Sequence, residues 1–144
     1  MSDWSDDYAV YFVVSIDDES LGAFDSCEGL GAEVVVEERA EGGNNGWVWQ
    51  LPTGVRYSNV RLSRPVTPDS AKLARWFTGA PGGVRRATAV IEARSASGAV
   101  VARWALRDVL PVRWSGPRLD PGRAAVITET VELAHHGFIG SWAG

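Results

Sequence analysis

The stretch AEVVVEERAEGGNNGWVWQLPTGVRYSNVRLSR, residues 32–64, decides how this chain of 144 residues is organised. Its two ends alternate apolar and polar residues, as β-strands with one buried face do. Its middle is rich in glycine and asparagine, which tolerate the positive φ of tight turns. The stretch therefore predicts a long hairpin, with strands at 32–39 and 55–64 joined by a projecting arm at 41–54.

The arm at 41–54 combines turn residues with large apolar side chains. Two tryptophans and a leucine follow the turn residues at period two, so they are expected on one face of the arm. A monomer would have to hide that face, whereas a subunit of an assembly could bury it against a neighbour. The candidate self-assembly residues are therefore Gly42, Gly43, Asn44, Asn45, Trp47, Trp49 and Leu51.

Strand signals also occupy most of the chain outside this hairpin. Alternating or β-branched segments at 9–16, 85–95, 99–112 and 124–135 predict four further strands. The segment LGAFDSCEGLG at 21–31 is interpreted as a connection, because it contains three glycines. Alternation places the following sets each on one face of its strand: Val34 and Val36; Ala87, Ala89, Ile91 and Ala93; Val100, Trp104 and Leu106; and Ile127, Val131 and Leu133.

One helix is well delimited in the sequence. Thr67 can cap it, Pro68 suits its first position and Gly79 is placed to end it. Its apolar stripe, which needs a sheet to cover it, consists of Leu73, Trp76 and Phe77. The fold class predicted from these elements is mainly β, a sandwich or half-barrel of about six strands with one α-helix.

Composition and charge exclude several classes of protein. The chain is 45% hydrophobic and 22% charged, which is typical of a single folded domain, expected here over residues 1–144. A formal net charge of -4 argues against specific nucleic-acid binding through phosphate neutralisation. No apolar run reaches the roughly 18 residues of a membrane helix, and the acidic first residues do not resemble a signal peptide.

The sequence offers no convincing catalytic or metal-binding constellation. His135 and His136 are the only histidines, and adjacent strand residues point to opposite faces. Cys27 is the only cysteine, so a nucleophilic pair with His135 has no local support. The acids Glu37, Glu38 and Glu41 flank a turn and are interpreted as solvated. We therefore expect no enzyme activity, no cofactor and no metal.

The abundance of tryptophan leaves one alternative of a different class. The chain contains seven tryptophans, and an exposed pair such as Trp47 and Trp49 could stack against a sugar ring. A monomeric carbohydrate-binding or ligand-binding sandwich would use the arm in that way. The sequence alone does not separate a sugar from a protein partner.

Several motifs together resemble one known family over nearly the whole chain. They are the strand that ends at Ile16 and Asp17; LGxFxxCxGL from Leu21 to Leu30; the EGGNN arm; YxNVxLxR from Tyr57 to Arg64; the LxxWF helix; and ETVELAHHGF from Glu129 to Phe138. This pattern resembles the tail tube proteins of contractile phages and of the related extracellular contractile injection systems. The family-motif strand contributes Tyr57, Asn59, Val60, Leu62 and Arg64, and residues 1–8 are interpreted as an N-terminal extension.

The resemblance implies a structural role and a set of partners. Copies would form hexameric rings that stack into a hollow tube, with strands of neighbouring subunits closing a ring-shaped β-barrel. The implied partners are the sheath protein, baseplate or spike proteins, tube-capping proteins and effector cargo in the lumen. The particle would assemble in the cytoplasm of the producing cell, with release from the cell left open. An injection-system tube is the favoured interpretation, and a phage tail tube that conducts DNA is the alternative.

Overall fold

The protein is built mainly from antiparallel β-strands. A computed structural model describes residues 8–40, 48–78, 86–116 and 127–140. Within these ranges the chain forms nine strands and one helix: β1 Tyr11–Ile16, β2 Glu19–Phe24, β3 Ser26–Glu28, β4 Ala32–Ala40, β5 Val48–Tyr57, β6 Val60–Pro65, α1 Ser70–Thr78, β7 Ala87–Arg94, β8 Val100–Ser115 and β9 Thr128–Ala134.

Seven of the strands form one folded sheet, and the other two form a separate hairpin. The order in the large sheet is β2-β1-β7-β8-β9-β6-β3, and β4 pairs only with β5 among the described strands. The long strand β8 belongs to both halves of the large sheet: its first part pairs with β7 as far as Val109, and its second part pairs with β9 from Leu110 onward. Asp108, with a φ of 52°, lies where β8 passes from one half to the other. The predicted fold class is confirmed.

The core lies between the two halves of the sheet and follows the predicted alternation in most strands. In β7 every second residue is buried, beginning at Ala87, and in β9 Val131 and Leu133 are fully buried. Paired residues on neighbouring strands share a face, so Ile91 opposite Val14 and Leu106 opposite Ala89 build one continuous apolar layer. The short-range pattern was therefore sufficient to identify the buried face of these strands.

The predicted helix is present and its start is capped as expected. The Asp69 backbone N–H donates to Thr67 Oγ1 at 3.2 Å, and the Thr67 N–H donates to Ser70 Oγ at 3.2 Å. This reciprocal pair satisfies two backbone donors that a helix start leaves without intrahelical partners. Leu73 is fully buried, and Trp76 and Phe77 are partly buried against the core. The predicted terminator, Gly79, lies outside the described residues.

The interpretation of residues 21–31 as a connection was wrong. Residues 19–28 form β2 and β3, which are the two edge strands of the large sheet. The glycine that directly follows β3 is required by the backbone conformation and by a close approach of another segment. Gly29 has a φ of 92°, and a side chain at this position would place its Cβ 2.1 Å from the Asn59 carbonyl oxygen.

The interpretation of residues 55–64 as one strand was also wrong. The extended segment breaks at Ser58 and Asn59, so that its first part belongs to β5 in the hairpin and its second part to β6 in the large sheet. The family-motif strand is divided accordingly: Tyr57 ends β5, Asn59 lies in the break, and Val60, Leu62 and Arg64 are buried in β6. Because β6 pairs with both β3 and β9, it is an interior strand and not an edge.

The predicted alternation does not hold at the first residue of β8, and Ile127 lies outside β9. Val100 and Ile127 are 42% and 43% exposed. A bulge in the pairing of β7 with β8 sets Val100 opposite Arg94, so Val100 does not share a face with Leu106, and Ile127 precedes the first residue of β9. The inward face of β9 instead includes Glu129, which is 1% exposed. The predicted alternation is therefore correct in phase in β9, whereas in β8 the bulge changes the phase at Val100.

Candidate assembly surfaces

The hairpin β4–β5 carries the part of the predicted arm that the structure describes. Residues 48–54 are paired strand rather than a loose arm, with Trp49 opposite Arg39 and Leu51 opposite Glu37. Trp49 is 42% exposed and Leu51 is 36% exposed, so neither contributes to the main core. The remaining arm residues, Gly42, Gly43, Asn44, Asn45 and Trp47, lie outside the described residues.

A second and more apolar surface covers the other face of the hairpin, which we call the valine face. Its central residues are Val34, Val36, Val48 and Val55, which are between 46% and 56% exposed. Val34 pairs with Val55, and Val36 pairs with Pro52, so these side chains lie together on one face. Thr53 is the additional residue of a β-bulge, and because of this bulge Val48 and Val55 point to the same face of β5. The Thr53 hydroxyl donates to the Val35 carbonyl at 3.1 Å. An exposed apolar surface of this kind marks an interaction site in soluble proteins.

The sequence pattern placed Val34 and Val36 on one face of their strand, but it did not indicate that this face is a functional surface. Among the described strands β4 and β5 pair only with each other, and an alternating pattern does not show whether another element covers a face.

The hairpin is fixed to the body at its base by a cluster of three rings. Tyr57, at the end of β5, lies 5.5 Å from His135 and 5.8 Å from Phe138 between ring centroids. The Gly137 N–H donates to His135 Nδ1 at 3.1 Å, so Nε2 carries the hydrogen and donates to the Ser58 carbonyl at 3.0 Å. Gly137 has a φ of 117°, and a Cβ there would lie 2.9 Å from the Tyr57 ring. This packing fixes the direction in which the hairpin leaves the sandwich.

The helix is anchored to the sheet by a buried ion pair. Arg64 Nε donates to Glu129 Oε1 at 2.8 Å, and both side chains are 1% exposed. The same carboxylate accepts from Ser70 Oγ at 2.6 Å and from Trp114 Nε1 at 3.1 Å. Arg64 also donates to the Leu21 carbonyl, and its guanidinium lies 4.2 Å from the centroid of the Phe24 ring. These contacts join β2, β6, β8, β9 and α1 at one point.

The outer face of the half-sandwich β3-β6-β9-β8 is polar and unusually regular. We call its two cross-strand rows the charge row and the hydroxyl row. The charge row contains Glu28, Arg61, Glu132 and Arg113 in strand order, and the hydroxyl row contains Ser26, Ser63, Thr130 and Ser115. Ser63 and Thr130 are joined by a hydrogen bond of 3.0 Å between their hydroxyls. Each inward neighbour of these residues in β6 and β9 is buried, so the rows point away from the core.

The side chains considered for catalysis differ in burial and in their hydrogen-bond partners. His135 is buried, whereas His136 is exposed and lies 3.3 Å from an Asp108 carboxylate oxygen. Burial raises the pKa of the Cys27 thiol to about 11, with a smaller contribution from Glu28, so the nucleophilic thiolate is disfavoured. Within the described parts of the chain, no group of three or more potential ligands could hold a metal ion. Similarly, no helix in those parts is long and apolar enough to cross a membrane.

Comparisons with known proteins agree with this architecture. The model of the family described as T4-like virus tail tube protein gp19 matches residues 8–139. Solved structures share the fold. A chain of the PVC sheath-tube complex in its extended state, from an extracellular contractile injection system, matches with a TM-score of 0.78 and 20% identity, covering 93% of this chain and 88% of that chain.

Two other solved structures show how far the fold likeness extends. A chain of the anti-feeding prophage baseplate, 6-fold symmetrised, matches with a TM-score of 0.74 and 23% identity, covering 100% of this chain and 98% of that chain. Hcp1 from Flavobacterium johnsoniae matches with a TM-score of 0.54 and 13% identity, covering 92% and 98% of the two chains. A search of curated protein sequences gave no match.

The fold is that of a β-sandwich with a protruding hairpin. The chain belongs to the T4-like virus tail tube protein family, whose model spans nearly all of it. The family resemblance and the tube-protein role predicted from the sequence are thereby confirmed.

Proposed function

We propose that this chain is the repeating subunit of the inner tube of a contractile injection system. Copies form hexameric rings, the rings stack into a hollow tube, and contraction of a surrounding sheath drives the tube into a target. The observation that carries the proposal is the valine face, whose four central valines are about half exposed on a hairpin that nothing described in the chain covers. Six subunits to the ring agree with the 6-fold symmetry stated for the similar baseplate structure.

The valine face requires a partner for a simple energetic reason. Burying apolar surface releases about 25 cal/mol per Å², and a fully buried valine gains roughly 1.5 kcal/mol or more over an exposed one. Four such side chains on one face therefore favour a protein interface over solvent. Trp49 and Leu51 lie on the opposite face of the same hairpin, beside Glu37 and Arg39. In the assembled tube the hairpin would be enclosed from both sides by other copies.

The partners follow from the proposed tube. The similar structures are described as a sheath-tube complex, a baseplate and a tube-terminating cap, so sheath, baseplate or spike, and capping proteins are the expected neighbours. The role is structural rather than catalytic, with no specific nucleic-acid binding and no cofactor. The particle assembles in the cytoplasm of the producing cell, and the lumen is available to effector cargo.

A phage tail tube that conducts DNA is the second candidate. The family description itself favours it, because the matching model is named for a virus tail tube protein. Both candidates use the same rings and the same hairpin. The genes that surround the coding sequence separate them: capsid and terminase genes would indicate a phage, whereas their absence beside sheath and baseplate genes would indicate an injection system.

The assembly role of the hairpin is tested by paired substitutions. Val34→Ser with Val55→Ser makes the valine face polar, and Trp47→Ala with Trp49→Ala truncates the tryptophans of the original arm prediction. Aromatic anchors at interfaces often cost 2 kcal/mol or more when truncated. Each double variant should keep the β-type circular dichroism of the wild type and fail to form tubes in electron micrographs.

The control and the competing class use the same measurements. Val100→Ser changes a valine of similar exposure that lies away from the hairpin, and it should leave tube formation unchanged. If both hairpin variants assemble normally, the hairpin is not the assembly surface. If wild-type protein instead stays monomeric and its tryptophan fluorescence saturates on titration with oligosaccharides, the carbohydrate-binding alternative replaces the tube.

A further inference from the structure

The hairpin β4–β5 is attached to the sandwich at its base. Among the described strands β4 and β5 pair only with each other, so no strand of the large sheet continues into the hairpin. The chain enters the hairpin after Gly29, which has a φ of 92°, and leaves it through the break that follows Tyr57. At that point the Tyr57 ring contacts the rings of His135 and Phe138, at 5.5 Å and 5.8 Å between centroids. The direction of the hairpin therefore depends on contacts centred on His135.

The His135 ring uses both of its nitrogens in these contacts. The residue is 6% exposed, Nδ1 accepts from the Gly137 N–H at 3.1 Å, and Nε2 donates to the Ser58 carbonyl at 3.0 Å. A neutral imidazole, with one hydrogen, satisfies both partners. A protonated imidazole carries a hydrogen on each nitrogen, so Nδ1–H would face the Gly137 N–H and that hydrogen bond would be lost. Two buried donors without an acceptor are costly, and separation of the contact relieves them.

The side chains that share a surface with the ring do not stabilise a cation. Arg56 and Tyr57 of β5 line the same cleft as His135, together with His136 from the segment after β9. Arg56 is positively charged, His136 is itself basic, and Tyr57 is a neutral phenol. A positive charge on His135 would therefore meet other basic groups across the base of the hairpin.

The carboxylates of the adjoining strands have other partners. Asp108 of β8 lies 3.3 Å from His136 Nδ1. Glu132 of β9 is an odd number of residues from His135, so it points to the opposite face of the strand, where it accepts from the Asn59 amide at 3.3 Å. Among the described residues, no carboxylate forms an ion pair with His135.

We propose that protonation of His135 releases the base of the hairpin, so that β4–β5 is held against the sandwich at neutral pH and freed in acid. Histidine ordinarily takes up its proton between pH 5 and 8. Because the released state accepts a proton that the attached state excludes, release grows as the pH falls and attachment returns as the pH rises. A single proton limits the change in the ratio of released to attached subunits to about tenfold for each pH unit. The switch belongs to the subunit itself and does not require a ring.

A distance measurement between two spin labels tests the release. In a Cys27→Ser background, Gln50→Cys on β5 and Thr88→Cys on β7 provide two exposed positions for the labels, one on the hairpin and one on the sandwich. Pulsed electron spin resonance on the monomeric subunit should give one narrow distance at pH 7.5 and a second population at pH 5. The ratio of the two populations should change by up to about tenfold for each pH unit. An identical distribution at both pH values would overturn the proposal.

The two histidines of the chain provide a matched pair of variants. His135→Asn keeps an acceptor oxygen for the Gly137 N–H and cannot be protonated, so its distance distribution should be the same at pH 7.5 and pH 5. His136→Asn removes the other histidine and should leave the response of the wild type unchanged. A response that persists in His135→Asn, or one that disappears in His136→Asn, would assign the acid effect to another group and overturn the role of His135.

Nuclear magnetic resonance of the unmodified subunit decides the matter even if His135→Asn does not fold. Long-range ¹H–¹⁵N spectra distinguish the two nitrogens of each histidine ring. They should show the His135 hydrogen on Nε2 at pH 7.5, and protonation of Nδ1 should share its midpoint with the loss of contacts between the His135 and Tyr57 rings. A protonated His135 whose contacts with Tyr57 persist unchanged would contradict the proposed switch.

Discussion

Removing one partner of the buried pair Arg64–Glu129 should unfold the subunit at a much lower denaturant concentration. Arg64→Met leaves the Glu129 carboxylate without its cation in a position that is 1% exposed. Removal of one partner from a buried ion pair costs about 3–5 kcal/mol, because the remaining charge is uncompensated. Ser70 and Trp114 still donate to that carboxylate, and two neutral donors offset only part of this loss.

A double variant shows whether the cost comes from the unpaired charge. Arg64→Met with Glu129→Leu removes both charges and fills the space with apolar side chains of similar size. Such replacements are often neutral, although here Ser70 and Trp114 lose an acceptor, at a net cost of about 1 kcal/mol for each hydrogen bond. The double variant should therefore be more stable than Arg64→Met alone, by about 2 kcal/mol.

The assay is urea unfolding monitored by fluorescence, at a protein concentration where the wild type sediments as a monomer. Glu92→Gln serves as the control, because it removes a partly exposed partner of Arg94 and should leave the unfolding midpoint unchanged. If Arg64→Met unfolds at the wild-type urea concentration, the buried pair does not hold the helix and the sheet together. The network around Arg64 and Glu129 would then not be what anchors the helix to the sheet.

Two further outcomes concern buried side chains. Leu73→Ala should lower the free energy of unfolding of the subunit by about 2–5 kcal/mol in the same urea assay, because the Leu73 side chain of the helix is fully buried. A Leu73→Ala variant as stable as the wild type would contradict its role in the core. The pKa of the Cys27 thiol is raised from 9.0 to about 11, so Cys27 should react with iodoacetamide about 100-fold more slowly than an exposed thiol at pH 8. Its reaction rate should rise as the pH approaches 11. Fast labelling of Cys27 in the folded subunit at pH 8 would contradict its burial.

The sequence predicted the elements whose partners are internal to the chain. The helix was defined by the Thr67 cap and its apolar stripe, and β7 and β9 were defined by alternation, because these signals act over a few residues. The long hairpin was also anticipated. Its two strands are nevertheless β4 and β5, since the arm residues 48–54 are themselves part of a strand.

Other features depend on contacts between distant segments and could not be predicted from local patterns. The break at Ser58 and Asn59 is stabilised by the approach of Gly29 to Asn59 and by the hydrogen bond from His135 to Ser58, across 30 and 77 positions of the chain respectively. The Arg64–Glu129 pair likewise joins two strands that only the sheet order brings together. The charge row required the register of four strands. The alternation also placed Val34 and Val36 on one face of their strand, but whether that face is covered depends on the arrangement of the whole fold, so its exposure could not be predicted.

Electron microscopy of the purified protein with its sheath and baseplate partners tests the central claim most directly. We predict stacked rings of six copies around an open channel, with the β4–β5 hairpin of each copy enclosed by neighbouring copies. A compact monomer that persists at high concentration in the presence of those partners, with its hairpin protected within the same chain, would contradict it.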